Sequence, residues 1–141
     1  MREAAYEQAI GRHYSPANPT PALIAALATL EAGSGPLRLE DLAPLDQFHS
    51  GGLQATVTLA QRVNLQAGMR VLDVGGGVGG PARLIARDYG CRMTVLDLTE
   101  DYCQIGELLT QRTGQSDRVT FMHGSALQIP FPDHSFDIVW T

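Results

Sequence analysis

The sequence has little of several features that define whole classes of protein. Its two cysteines, Cys91 and Cys103, form no CxxC pair and have no histidine cluster beside them. That spacing argues against a zinc site or a redox motif, and fits reduced thiols in a cytoplasmic protein. No Lys/Arg-rich run relieves the formal charge of −5, so neither a nucleic-acid backbone nor an anionic membrane surface is expected as a partner. The longest apolar stretches, such as residues 22–30, fall well short of the roughly 20 residues that a membrane span requires. The opening Met1-Arg2-Glu3-Ala4-Ala5-Tyr6-Glu7 carries no apolar core of a secretory signal. No internal repeat or low-complexity tract is visible. What remains is a globular composition. With 44% hydrophobic and 18% charged residues over 141 positions, the chain can bury the core of one domain.

A helix-coded N-terminal third precedes an alternating part. Thr20-Pro21 reads as a helix start, with Leu23, Ile24, Leu27 and Leu30 at helical spacing and Gly33 as the stop. A second helix is expected from Gly52 to about Asn64, with Leu53, Val57, Ala60 and Val63 on one face. From Met69 the period changes. Arg70-Val71-Leu72-Asp73-Val74 is a short apolar run suited to a strand buried on both faces. Pro81 then opens a helix that Gly90 stops, and residues 91–98 form a second strand. Thr99 caps a helix carrying Ile105, Leu108 and Leu109, ended by Gly114. Residues 119–122 and 136–140 read as a third and a fourth strand. Strands alternating with helices of this length predict an α/β, doubly wound, mainly parallel sheet.

The strongest chemical signal is Val71-Leu72-Asp73-Val74-Gly75-Gly76-Gly77-Val78-Gly79-Gly80. Glycines at a strand-to-helix turn allow positive φ and let a ligand approach the backbone with no Cβ in the way. The helix that follows turns free N–H groups and a partial positive charge toward the same place. Two spacings overlap here. Gly75, Gly77 and Gly80 satisfy GxGxxG, a weak sign of a dinucleotide site and of an NAD(P)-dependent oxidoreductase. Gly75, Gly77 and Gly79 after Asp73 satisfy D-x-G-x-G-x-G instead. A fixed negative charge at Asp73 would oppose a pyrophosphate but attract an ammonium or sulfonium group. Asp97 ends the second strand, where a doubly wound sheet places an acid against ribose hydroxyls. One carboxylate can accept from both hydroxyls of a vicinal diol. Leu98 would then lie against the face of a base.

The glycine loop, Asp97, and Gly124-Ser125-Ala126-Leu127-Gln128-Ile129-Pro130-Phe131 ahead of Ser135-Phe136-Asp137-Ile138-Val139 together resemble the class I S-adenosylmethionine-dependent methyltransferases. Within that family the likeness is to enzymes acting on small molecules such as quinones, sterols, tocopherols or sarcosine. It covers residues 46–141 and implies a Rossmann-like sheet with strand order 3-2-1-4 for the four strands present. The cofactor implied is S-adenosylmethionine, and the partner a small-molecule methyl acceptor. Carried over by position, Asp73 would face the amino group of the methionine moiety, and Gly75, Gly77 and Gly79 would turn around it. Asp97 would hold the ribose and Leu98 would pack on adenine. The family usually has an acid in the place of Ser125, so a hydroxyl must serve there, while Ala126 could give its backbone N–H to the ring. Phe48-His49-Ser50-Gly51-Gly52 is similar to the segment that family places near the methionine end.

The resemblance also divides the chain, with residues 1–45 as a helical lid or cover and residues 46–141 as the cofactor-binding unit. Family members have seven strands, so this chain is expected to be truncated after the fourth. It is then either a fragment of a longer protein or one that pairs an apolar strand edge in a homo-oligomer. A cofactor-binding fragment without activity is the alternative that follows. His49 is a candidate for a general base, a substrate contact or a helix-start residue, and no catalytic dyad or metal cluster is visible. Asp133-His134-Ser135 resembles a triad by letter only, since three adjacent residues cannot converge on one substrate atom.

Overall fold

The computed structural model describes residues 37–47 and 50–141, together with Ala25 and Ala28. The helix expected behind Thr20-Pro21 lies outside the described residues, apart from Ala25 and Ala28, which are helical. The described elements are α1 (Leu39–Asp46), α2 (Gly52–Arg62), β1 (Arg70–Val74), α3 (Gly80–Tyr89), β2 (Arg92–Asp97), α4 (Glu100–Arg112), β3 (Val119–His123) and β4 (Ile138–Trp140).

All strand pairs are parallel, in the order β3-β2-β1-β4. The chain winds outward from β1 to β3 and then returns to lay β4 on the other side of β1. The carboxyl end of β1 therefore lies where the winding reverses, the place where open α/β sheets hold their ligands. Val71, Leu72 and Asp73 are all buried, so β1 is covered on both faces as its apolar run implied. One core cluster joins Val71, Met93, Val95, Val119 and Trp140 to Ala82, Ile85 and Ala86 of α3. A second gathers Leu42 of α1, Val78, and Ile105 and Leu109 of α4.

The helix α3 is the most enclosed element, with every residue from Gly80 to Ala86 buried. It packs on β2 and β3 and is covered by α1 and α2. The expected face of α2 is the one that packs inward, with Ala60 buried and Leu53, Val57 and Val63 half-buried against the first cluster.

Three differences from the sequence reading have physical causes. The helix α1 was not anticipated, because Pro44 sits inside it and removes the bond its N–H would give to Glu40. It runs across the 45/46 boundary. Thr99 occupies the N-cap of α4 but makes no side-chain cap bond; its backbone carbonyl accepts from the Tyr102 and Cys103 amides, and its own amide donates to the Asp97 carboxylate. The fourth strand begins at Ile138 rather than Phe136. Just before it, the Asp137 carboxylate accepts from the Arg70 amide at 2.7 Å, and the Phe131 and Phe136 rings meet edge to face at 5.0 Å. Along β4, Val139 is 64% exposed while Trp140 is buried in the core.

Candidate functional site

The glycine loop connects β1 to α3 and uses its glycines in two ways. Gly75, Gly77 and Gly79 have φ of +71°, +56° and +78°, a region side chains rarely adopt. Gly76 and Gly80 are glycine for want of space. A Cβ on Gly76 would lie 2.6 Å from Asp73 Oδ2, and one on Gly80 would strike the Asp46 carbonyl. The loop is fastened by the Gly75 amide donating to the Leu96 carbonyl at 2.7 Å.

Two acids flank this loop and are treated oppositely. Asp97 Oδ2 accepts from the Gly77 amide at 2.8 Å, and its Oδ1 accepts from the Thr99 amide at 2.8 Å. One carboxylate thus ties the loop to the start of α4, and each oxygen keeps a lone pair for a further donor. Asp73 is 3% exposed and its Oδ2 has no partner at all. Burial, with a smaller contribution from the Asp97 charge, pushes its carboxyl up to about 7.

Both acids line an open cavity of 750 Å³, as do Gly75 and Gly77. Leu98, Ser125 and Ala126 line it as well, brought in from the segments after β2 and β3. Ser125 Oγ accepts from the Leu127 amide at 3.1 Å, so the hydroxyl oxygen is partly committed to its own turn. Gly79 does not line the cavity. It faces inward, where a Cβ would lie 2.6 Å from the Phe121 ring. Phe48 and His49 lie outside the described residues. Ser135 of the discarded triad look-alike donates to the Pro132 carbonyl instead. Among the described residues no cluster of three or more His, Cys, Asp or Glu could hold a metal ion.

The cavity has walls the sequence did not reveal. Asp46 from α1, Thr56 and Leu59 from α2, and Trp140 at the end of β4 all line it. Asp46 is fixed by a buried ion pair, its Oδ2 accepting from Arg83 Nη2 at 2.9 Å. Arg83 also donates to Thr110 Oγ1 and to the Gly106 carbonyl. Burial lowers the Arg83 pKa, while Asp46 opposes that shift and favours the charged form. At the end of α1, Gln47 Oε1 accepts from Thr56 Oγ1 at 3.0 Å and joins that helix to α2. None of these residues carried a sequence signal for the site, and no spacing rule links Asp46 to Arg83, 37 residues away.

This geometry has relatives. A family model described as "Methyltransferase domain" matches residues 71–141, from the second residue of β1 to the last of the chain. Methyltransferase GfsG of Streptomyces halstedii is 31% identical over 96% of this chain, which spans 47% of that protein. Sterol 24-C-methyltransferase ERG6B of Gibberella zeae is 42% identical over 58% of this chain, which spans 22% of that protein. Among solved structures, a SAM-dependent methyltransferase from Thiobacillus denitrificans, in complex with S-adenosyl-L-homocysteine, superposes with a TM-score of 0.60. It is 28% identical, over 73% of this chain and 42% of its own. The chain therefore spans less than half the length of these relatives. The match begins in β1 and takes in the glycine loop, both flanking acids and the Ser125 turn, so this chain belongs to the methyltransferase domain family.

Proposed function

We propose that this chain binds S-adenosylmethionine in the 750 Å³ cavity and serves methyl transfer to a small-molecule acceptor. The observation that carries this reading is the unpartnered, buried carboxylate of Asp73 beside the glycine loop. A buried acceptor oxygen without a donor is costly, so a ligand that brings an N–H and a positive charge is stabilised there. A dinucleotide would instead set its pyrophosphate against the Asp73 carboxylate, which disfavours the oxidoreductase reading.

The donor set fits the ligand along its length. Asp73 would accept from the ammonium of the amino-acid end, with Gly75 and Gly77 letting the backbone approach. Asp97 would accept from the ribose hydroxyls with its remaining lone pairs, while its amide bonds hold it in place. Leu98 and the Ala126 amide would meet the adenine, with Ser125 as a hydroxyl partner. The ligand supplies a methyl group already activated on a sulfonium. The chain therefore needs to bind, orient and exclude water, and such positioning is worth about 7–11 kcal/mol of barrier. No residue described is assigned as a general base, and His49 remains the candidate.

The family's acceptors and the apolar cavity support a small molecule as substrate. Residues 46–141 form the cofactor-binding unit in this reading, and residues 1–45 its cover, a role supported by the packing of α1 over α3. Two free, buried cysteines suit a cytoplasmic setting. Isothermal titration with S-adenosylhomocysteine and with NAD tests the proposal. Binding of the first and not the second is expected, and the reverse would overturn it. Methyl transfer from labelled S-adenosylmethionine to a panel of amines, phenols and quinones would then identify the acceptor class.

A further inference from the structure

Among the described residues, three buried side-chain polar atoms lack a partner: Asp73 Oδ2, Asp46 Oδ1 and Arg83 Nε. Two of the three are carboxylate oxygens of residues that line one cavity. Asp73 already has a role in the reading above, whereas Asp46 has none. We propose that Asp46 Oδ1 is a second acceptor for the ammonium end of the ligand, sharing that group with Asp73. This rests on the S-adenosylmethionine reading and adds a residue to it.

The placement supports the assignment. Asp46 ends α1, and its carbonyl lies against Gly80 at the far side of the glycine loop. Asp46 lines the cavity together with Ala55, Thr56 and Asp73. Both orphaned oxygens therefore belong to residues of one cavity lining.

The electrostatics differ between the two acids in a way that suits one ammonium. An ammonium carries a single charge but three N–H donors. Asp73 has no cation near it among the described side-chain contacts, so it can serve as the counter-charge. Asp46 is already neutralised by Arg83 through Oδ2, at 2.9 Å and with both side chains almost fully buried. It can add an acceptor without adding net charge. A purely structural pair would leave Oδ1 a buried, unsatisfied oxygen, an arrangement that costs stability and returns nothing.

The test compares two ligands on two proteins by isothermal titration. The ligands are S-adenosylhomocysteine and its desamino analogue, which keeps the carboxylate and replaces the amino group by hydrogen. In Asp46→Asn, the amide oxygen can hold Arg83 while its NH2 takes the place of Oδ1 and turns a donor toward the ammonium. Affinity for S-adenosylhomocysteine should fall by at least about tenfold, the worth of one charge-assisted hydrogen bond, while that for the desamino analogue changes by less than about twofold. Equal losses for both ligands, or none, overturn the assignment and leave Asp46 a docking residue for α1. If Asp46→Asn fails to fold, Asp46→Leu combined with Arg83→Met removes both charges at similar volume, and the same selective loss is required of it. Wild-type protein that binds neither ligand would overturn the underlying cofactor reading, a result separable from loss of selectivity alone.

Discussion

Asp97 accepts two backbone amides within 2.8 Å, while Asp73, on the adjacent strand and beside the same loop, accepts none with its Oδ2. The parallel register pairs Asp73 with Val95, so Asp97 lies two residues further toward the carboxyl edge of the sheet. The two acids are thus prepared for different work, one as a fixed brace and the other as an open acceptor.

That asymmetry sets a pH dependence. The Asp73 carboxyl is raised from its ordinary 3.8 to about 7 by burial and by Asp97. The neutral form is favoured in the empty protein, so its contribution to stability is full below about pH 4 and is lost as pH rises through about 7. Each pH unit in that window costs the empty protein about 1.4 kcal/mol. A ligand with a cationic end reverses the preference, because it favours the ionised acid. The rise in Tm produced by S-adenosylhomocysteine should therefore be larger at pH 8 than at pH 6, measured by scanning fluorimetry. Asp73→Asn should raise the Tm of the empty protein at pH 8 and abolish that difference. A ligand-induced shift that is flat or shrinks with pH would count against this account.

Removing the brace should have the opposite signature. In Asp97→Ala the Gly77 and Thr99 amides lose their acceptor, and each such loss costs about 1–3 kcal/mol where water cannot replace it. Urea unfolding should show that destabilisation at all pH values between 6 and 8. Titration calorimetry should show S-adenosylhomocysteine binding reduced by more than about a hundredfold, since the ribose contact and the loop geometry go together.

Filling the loop should act through sterics. The Cβ of Gly76→Ala would lie 2.6 Å from Asp73 Oδ2 and 2.8 Å from Val95 Cγ1, inside the core end of β2. Overpacking of this kind costs about 1–3 kcal/mol. A variant with wild-type stability and wild-type affinity would show that the loop yields more readily than its packing indicates.

The Asp46–Arg83 pair should be coupled. Arg83→Met leaves Asp46 buried without its cation and should destabilise by about 3–5 kcal/mol. Adding Asp46→Leu should recover most of that loss, because both charges are then gone. A double-mutant cycle in urea reads the coupling directly, and additive losses would mean that the two side chains do not depend on one another.

Ser125 offers a gain rather than a loss. Its oxygen already accepts the Leu127 amide, so it is a weak partner for an exocyclic amine. Ser125→Asp supplies a charged acceptor at the same turn and should tighten S-adenosylhomocysteine binding several-fold in calorimetry. An unchanged affinity would place the adenine elsewhere along the cavity.

Much of this was legible in the chain because it is local. The glycines of residues 75–80 report their own backbone demands, and the run from Arg70 to Val74 reports its burial. Asp97 stood out because a short strand ends there. The α1 wall was not legible, because Pro44 masks an eight-residue helix whose reason to exist is tertiary. Its anchor, Arg83, looks like an ordinary helix residue until Asp46 of α1 and Gly106 and Thr110 of α4 meet it in the interior. Thr56 and Trp140 reach the cavity through packing that no spacing rule encodes.

Seven consecutive buried residues, Gly80 to Ala86, give α3 no solvent face over nearly two turns. Its hydrogen-bonded amides, from Arg83 onward, can exchange with deuterium only when the sheet itself opens, so they belong to the slowest-exchanging set of the described residues. The loop ahead of it is thereby rooted in the part of the chain that unfolds last. A ligand leaving the cavity would loosen the walls from α1 and α2 long before it disturbed that root.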